Sequence, residues 1–288
     1  MNYYLGCPMW SNKAWVGKFF GRDTKAAGYL KQYARTLSSV EGNTTIYALP
    51  KRELAQKWRD ATPAHFRFTF KFPKVISHDL ALQECGRELD QFLAALTPLH
   101  DRLGTLFLQL PHTFTNIDRL ARFLSGLPRE FHYAVEVRNR YFFDGGHGEE
   151  DFVCLLREFQ ADRVIFDTHR LLTFETSDAS ILDAKKRKPK MPPRTLATGP
   201  APFLRYVGRP DFREDTSVLD GWAAVTAAWI REGRTPYVFM HQAPDDDFAP
   251  EMCRLFHELL RGHLPELPQL PPFPCESDPP IAHQLSLF

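Results

Sequence analysis

The stretch TLFLQLPHTFTNIDRLARFLSGLPREFHYAVEVRN, Thr105–Asn139, holds two strand-like runs with a helical run between them. LFLQL and YAVEV are short apolar segments bounded by Pro111, Pro128 and Asn139. Between them Ile117, Leu120, Ala121 and Leu124 recur at three- and four-residue spacing, the period of one helix face. Strand, helix, strand in so few residues calls for parallel pairing through a right-handed crossover. The alternation continues in both directions. Strand candidates are Tyr3–Gly6, Ser38–Glu41, Phe66–Phe72, Thr105–Gln109, Tyr133–Val137, Arg163–Asp167, Phe203–Val207 and Tyr237–Met240, with amphipathic stretches such as ELAQKWRDA, EEDFVCLLREFQ and PEMCRLFHELLRG between them. Eight such strands fit an α/β chain closed as a TIM-like (β/α)8 barrel better than a doubly wound sheet. No G-x-G-x-x-G follows a strand, so no nucleotide cofactor is expected.

Composition narrows the class. Hydrophobic residues make up 43% of the 288-residue chain, ample for a large core, and the net charge of +1 gives no global field toward nucleic acid or anionic lipid. No run reaches the roughly 18 apolar residues that span a bilayer, and the N-terminus lacks a signal-peptide pattern, so a cytoplasmic protein with no membrane partner is expected. The five cysteines form no CxxC pair and read as reduced thiols. Cys253 and His257, four apart on one helix, read as packing residues rather than metal ligands.

Two segments break the alternation. Thr168–Pro202 is long, polar and contains KKRKPK (Lys185, Lys186, Arg187, Lys188, Lys190), so it reads as a functional or mobile loop. Beyond Leu264 the proline density is that of an extended linker. The expected organisation is one barrel domain over residues 1–264 and a proline-rich tail over 265–288.

In a barrel, alternate residues face the interior, and sites assemble where strands end. On that rule Glu41 and Asn43, Lys71, Gln109, Glu136 and Arg138, Asp167, Arg205 and His241 come to one rim. His78 and Tyr47 follow nearby, with Trp10 and Trp15 as further stacking aromatics. Burying so many charges unpaired costs several kcal/mol each, so either they pair or a ligand uses them. Glu41, Glu136 and His78 are the candidates for proton transfer; Lys71, Arg138 and Arg205 suit phosphate or carboxylate. His78, Glu136, Asp167 and His241 include metal-ligand types, but no spacing demands a divalent ion. A phosphoester hydrolase or an acid/base enzyme are the reactions such a rim admits, and a G-x-S-x-G nucleophile elbow is missing.

The blocks GCPMWSNKAWVGKFF, VEGNTTIYALP, FRFTFKFPKVISHD, LFLQLPHTF, YAVEVRN and YVFMHQAPD resemble the YecE-like family, TIM-barrel proteins of unknown function. The resemblance covers residues 1–264 and implies site positions Glu41, Asn43, Thr45, Tyr47, Lys71, His78, Gln109, Glu136 and Arg138. Many relatives carry R-x-H-G after the seventh strand, where this chain reads Arg205-Tyr206-Val207-Gly208, so any use of that histidine does not carry over.

The chain ends QLSLF: Gln284, Leu285, Ser286, Leu287 and Phe288. This resembles the peptide by which bacterial polymerases and repair factors bind the sliding clamp. An amide for the pocket rim and apolar anchors on a proline-stiffened linker suit that role. KKRKPK beside such a tail suits DNA phosphates. The leading expectation is therefore a DNA-metabolism protein recruited to the clamp, with a phosphate or nucleotide site in the barrel mouth. A sugar or sugar-phosphate enzyme and a non-catalytic adaptor are the alternatives.

Overall fold

The computed structural model describes residues 3–278. Among them are eight parallel strands: β1 (Tyr4–Gly6), β2 (Ser39–Gly42), β3 (Arg67–Lys71), β4 (Leu103–Gln109), β5 (Tyr133–Glu136), β6 (Asp162–Asp167), β7 (Phe203–Gly208) and β8 (Tyr237–Gln242). Each strand pairs with its sequence neighbour from β2 through β8, and β1 returns to pair with β8, so the order is cyclic. At the seam between β1 and β2, Ser38 N–H donates to Leu5 O at 3.1 Å and Glu41 N–H to Cys7 O at 3.1 Å. Gly6 permits that approach, since a Cβ there would stand 2.0 Å from the Ser39 carbonyl oxygen. The ring is a TIM-like barrel, as the alternation of the sequence predicts.

The helices outside the ring are α1 (Tyr29–Thr36), α2 (Arg52–Asp60), α3 (Gly86–Leu96), α4 (Ile117–Ser125), α5 (His147–Glu158), α6 (His169–Thr173), α7 (Ala179–Arg187), α8 (Thr216–Arg231) and α9 (Ala249–His263). Phe68, Phe70 and Phe72 of the FRFTFKF run are fully buried in the layer between sheet and helices. The interior carries a smaller apolar layer of Phe107, Ala134, Val164, Phe203, Tyr237 and Phe239. That layer seals the barrel below the mouth.

Three expectations change. The Thr168–Pro202 segment is not a bare loop, because it folds α6 and α7 over the barrel end, with the Asp178 carboxylate capping the start of α7. The packed body also continues beyond residue 264. Leu267 and Phe273 are buried, Pro272 O accepts from Thr36 Oγ1 at 3.0 Å, and Arg254 pairs with Glu276 at 2.6 Å. Proline density predicts an extended segment, but residues 265–278 include a turn after Leu264 and a 3-10 turn at Pro274–Ser277, and they pack on the barrel because apolar residues between the prolines, Leu267 and Phe273, are buried there. The QLSLF peptide lies outside the described residues. Finally, Trp15 is core: it is fully buried and packs on Phe19 and Tyr33.

Cys253 and His257 are packing residues of α9. Cys253 Sγ lies 3.6 Å from Cys7 Sγ, and His257 bonds Tyr3 and the Pro268 carbonyl. No helix among the described residues is long and apolar enough to cross a membrane.

Candidate functional site at the barrel mouth

The polar ring of the mouth follows from strand periodicity. Gln109, Glu136, Arg205 and His241 each stand two residues beyond a member of the interior apolar layer, on the same strand face and nearer the C-terminal end. Glu41 and Lys71 take the equivalent places on β2 and β3. All of them but Glu136, which lies behind Arg205 and Arg138, line a cavity of about 700 Å³, whose walls include Trp10, Asn43, Tyr47, Arg138, Phe166, Lys188 and Asp246.

At its centre Arg205 joins the two buried carboxylates. Its Nε and Nη2 donate to Glu41 Oε2 and Oε1 at 2.8 and 2.7 Å, and its Nη1 donates to Glu136 Oε2 at 2.6 Å. The remaining acceptor capacity is also taken up. Glu41 Oε1 accepts from Asn43 Nδ2 at 2.7 Å, Glu41 Oε2 lies 3.2 Å from His241 Nε2, and Glu136 Oε1 accepts from Arg138 Nε at 2.6 Å. Burial by itself raises the pKa of Glu41, but Arg205 and His241 outweigh it and hold the carboxyl well below its usual range. For Glu136 burial is likewise opposed by Arg138, Arg205 and Lys71, which bring it to about 2. Both groups are therefore fixed anions at neutral pH. They anchor Arg205 rather than stand free as proton carriers, the part their residue type suggests.

The cations are less fully committed. Lys71 Nζ donates to Gln109 Oε1 at 3.0 Å, and Arg138 Nη2 donates to the same oxygen at 2.9 Å. Burial, then the neighbouring Arg205, lowers Lys71 to about 8. Lys188 comes in from the end of α7 and lies over the Phe166 ring, where burial and Arg205 lower its pKa also. Four cations (Lys71, Arg138, Lys188 and Arg205) thus face three carboxylates (Glu41, Glu136 and Asp246), while Arg187 at the rim pairs with Asp183 at 2.8 Å, and burial pushes Asp246 toward its neutral form. The cavity is electropositive in a nearly neutral protein. Asn43 Oδ1 is buried there without a hydrogen-bond partner among the described residues. Tyr47, 86% exposed, and Trp10, edge-on to Trp58, supply an aromatic rim.

Two expected site residues lie elsewhere. Asp167 accepts from Trp222 Nε1 at 2.8 Å and from the His169 amide, so it faces α8 while Phe166 faces the mouth. The pleat decides this: Val164 is interior, so Phe166 is interior and Asp167 is not. His78 sits in the turn after β3, half-buried and bonded to Ser77 Oγ at 2.8 Å, outside the cavity wall. Burial and the nearby Arg138 lower its pKa. Among the described residues no three His, Cys, Asp or Glu side chains converge on a metal position. Thr45 is buried and donates to the Lys71 carbonyl at 2.6 Å, a bond that holds the β3 end in place. Of the basic run, Arg187 and Lys188 enter the mouth, Lys185 bonds the Phe174 carbonyl, and Lys186 and Lys190 are exposed. Asp246 and Phe166 escaped the sequence reading. DDD at 245–247 beside a strand end was a signal for the first, although which carboxylate turns inward is a matter of loop geometry.

A closed parallel barrel with a charged, cation-rich mouth defines the class: a TIM-like barrel protein with its candidate site at the C-terminal rim. The chain belongs to the DUF72 family, described as a protein family of unknown function, which matches residues 4–274. It is 38% identical to the UPF0759 protein YecE of Escherichia coli K12 over 276 residues, covering 95% of this chain and 98% of YecE. The crystal structure of a DUF72 family protein from Thermotoga maritima MSB8 superposes with a TM-score of 0.68 at 22% identity, covering 91% of this chain and 100% of that one. A DUF72 family protein from Enterococcus faecalis V583 gives 0.68 at 19% identity, covering 94% and 98%. These likenesses share the fold.

Proposed function

We propose that the barrel mouth binds a phosphate-bearing small molecule, a nucleotide or sugar-phosphate fragment, and that the C-terminal peptide brings this activity to the DNA sliding clamp. The observation that carries the first part is the set of cations on the cavity wall, with Lys188 over the Phe166 ring and Arg138 bridging Glu136 and the Gln109 amide oxygen. Buried cations attract an anion strongly because little water screens them. The aromatic rim of Trp10 and Tyr47 suits the apolar face of a base or sugar. Calorimetric titration of the intact protein with inorganic phosphate, pyrophosphate and nucleoside monophosphates tests it. Binding is expected at low salt, weakening as salt rises and falling roughly tenfold in Lys188→Ala, the loss of one charge-assisted contact. No heat with any of these anions at low ionic strength removes this reading.

Clamp recruitment rests on Gln284, Leu285, Leu287 and Phe288 alone. Micromolar binding of the full chain to the clamp of its own organism, abolished by removing Leu287 and Phe288, is the expected result. Equal binding of the two forms, or none, ends the recruitment reading and leaves the cavity reading untouched.

A further inference from the structure

Lys71 is poorly explained as a charge for gripping phosphate. Its Nζ reaches the cavity from the end of β3, and the side chain is 6% exposed. Its polar partner is the amide oxygen of Gln109 at 3.0 Å, and the Phe107 ring lies 5.1 Å away beneath it. The carboxylates nearby, Glu41 and Glu136, are bound to Arg205, and Glu136 to Arg138 as well. The charged groups acting on the amine are thus two arginines and two carboxylates that those arginines already neutralise. A lysine kept as a permanent ammonium gains from a carboxylate of its own; this one has an amide, an aromatic floor and cationic neighbours instead. Desolvation beside another cation is the arrangement that keeps a lysine amine nucleophilic near neutral pH.

We propose that Lys71 is an amine nucleophile that forms an imine with the carbonyl carbon of a phosphorylated aldehyde or ketone held in the mouth. This rests on the phosphate-binding reading of the same cavity. The neutral amine adds to the carbonyl, its lone pair forming the C–N bond while the C=O π pair moves to oxygen. The nitrogen gives up its protons and the oxygen takes them, so that water leaves and one C=N bond remains. No oxidant, reductant or metal enters the balance. Gln109 Oε1, which accepts from both Lys71 and Arg138, sets the amine beside the guanidinium. Arg138 and Lys188, which line the same cavity, then take the phosphate. With Lys71 lowered to about 8, on the order of a tenth of the amine is neutral at pH 7, against less than about a thousandth at an ordinary lysine.

The test incubates the intact protein with glycolaldehyde phosphate and sodium borohydride at pH 7 and maps the reduced adduct by peptide mass. One adduct, on Lys71, is expected. It should form at least tenfold faster than with unphosphorylated glycolaldehyde and be suppressed at least tenfold by excess inorganic phosphate. The trapping rate should rise as pH passes about 8 and then level, whereas exposed lysines continue to gain above it. Lys71→Arg keeps the charge and loses the adduct; should that variant not fold, the mass map of the native protein still decides. Labelling of Lys188 or scattered surface lysines with Lys71 untouched, in protein that binds inorganic phosphate, overturns the nucleophile and leaves the phosphate site standing. Absence of both phosphate binding and adduct overturns both. A Lys71 adduct indifferent to phosphate overturns the phosphorylated substrate class. A parallel arm with an oligonucleotide carrying an abasic aldehyde separates the sources: faster trapping than with glycolaldehyde phosphate assigns nucleic acid, slower trapping assigns a metabolite.

Discussion

Arg205 is the residue on which the mouth depends. It spans two carboxylates that lie 164 and 69 positions away in sequence, and all three are almost wholly buried. Replacing a buried ion-pair partner strands its counter-charges, which typically costs about 3–5 kcal/mol. Arg205→Leu is therefore expected to lose about that much in urea denaturation at pH 7, comparable to a large-to-small change at the apolar layer below it. Lowering the pH should narrow the deficit. Without Arg205 the buried carboxyls are pushed up in the folded state, so protonating them relieves the variant. A deficit that stays constant between pH 7 and 5 means Glu41 and Glu136 remain ionised without it. The residue types at the rim were legible in the sequence, because each strand's alternation is a local property. That Glu41 and Glu136 serve as anchors was not, since their saturation by Arg205, Arg138, Asn43 and His241 arises only across the closed ring.

At the scale of elements, α7 and the chain after it form the roof of the cavity. Arg194 ties this segment to α5, donating to Glu149 Oε1 at 2.7 Å, to Glu149 Oε2 at 2.9 Å and to the Phe143 carbonyl at 2.7 Å. Arg163 holds the same Glu149 from β6 at 2.9 Å. Arg194 is a third exposed, so the pair contributes only about 0–1 kcal/mol to global stability. Its effect is local. Arg194→Ala should leave the unfolding midpoint nearly unchanged but speed limited proteolysis within residues 174–198 roughly fivefold, as expected where a segment opens independently of the core. Anion affinity should fall with it, because Lys188 is carried on that segment. The strands of Thr105–Asn139 were readable from period and length, and β6 was too, but its facing was read one residue out. VIFD offers an ionisable residue at its end, and only pairing with β7, Phe166 beside Arg205, fixes that Phe166 points inward.

For the whole molecule, the pH dependence of stability has two opposed contributions. Glu136 is depressed to about 2 in the folded protein, so the stability it brings is complete above about 4.5 and lost as pH falls toward 2, worth about 3 kcal/mol at most. Asp162, at the base of β6, is raised by burial to about 7, despite amide bonds from Ala201 and Gly199. Its folded form holds a proton that the unfolded chain releases, so stability declines as pH rises from about 3.8 to 7. Denaturation midpoints across pH 3 to 8 should peak inside that range, and a profile climbing steadily to pH 8 contradicts the Asp162 part. The sequence alone determined the α/β class, the eight strands, the barrel and most of the polar rim, because strand and helix periods and the strand-end rule are written in neighbouring residues. Tertiary structure alone decided which charges neutralise one another, that Lys188 roofs the cavity while Asp167 leaves it, and that residues 265–278 lie on the barrel. Pair formation among buried charges and the fit of apolar side chains into grooves depend on distances that exist only once the ring has closed.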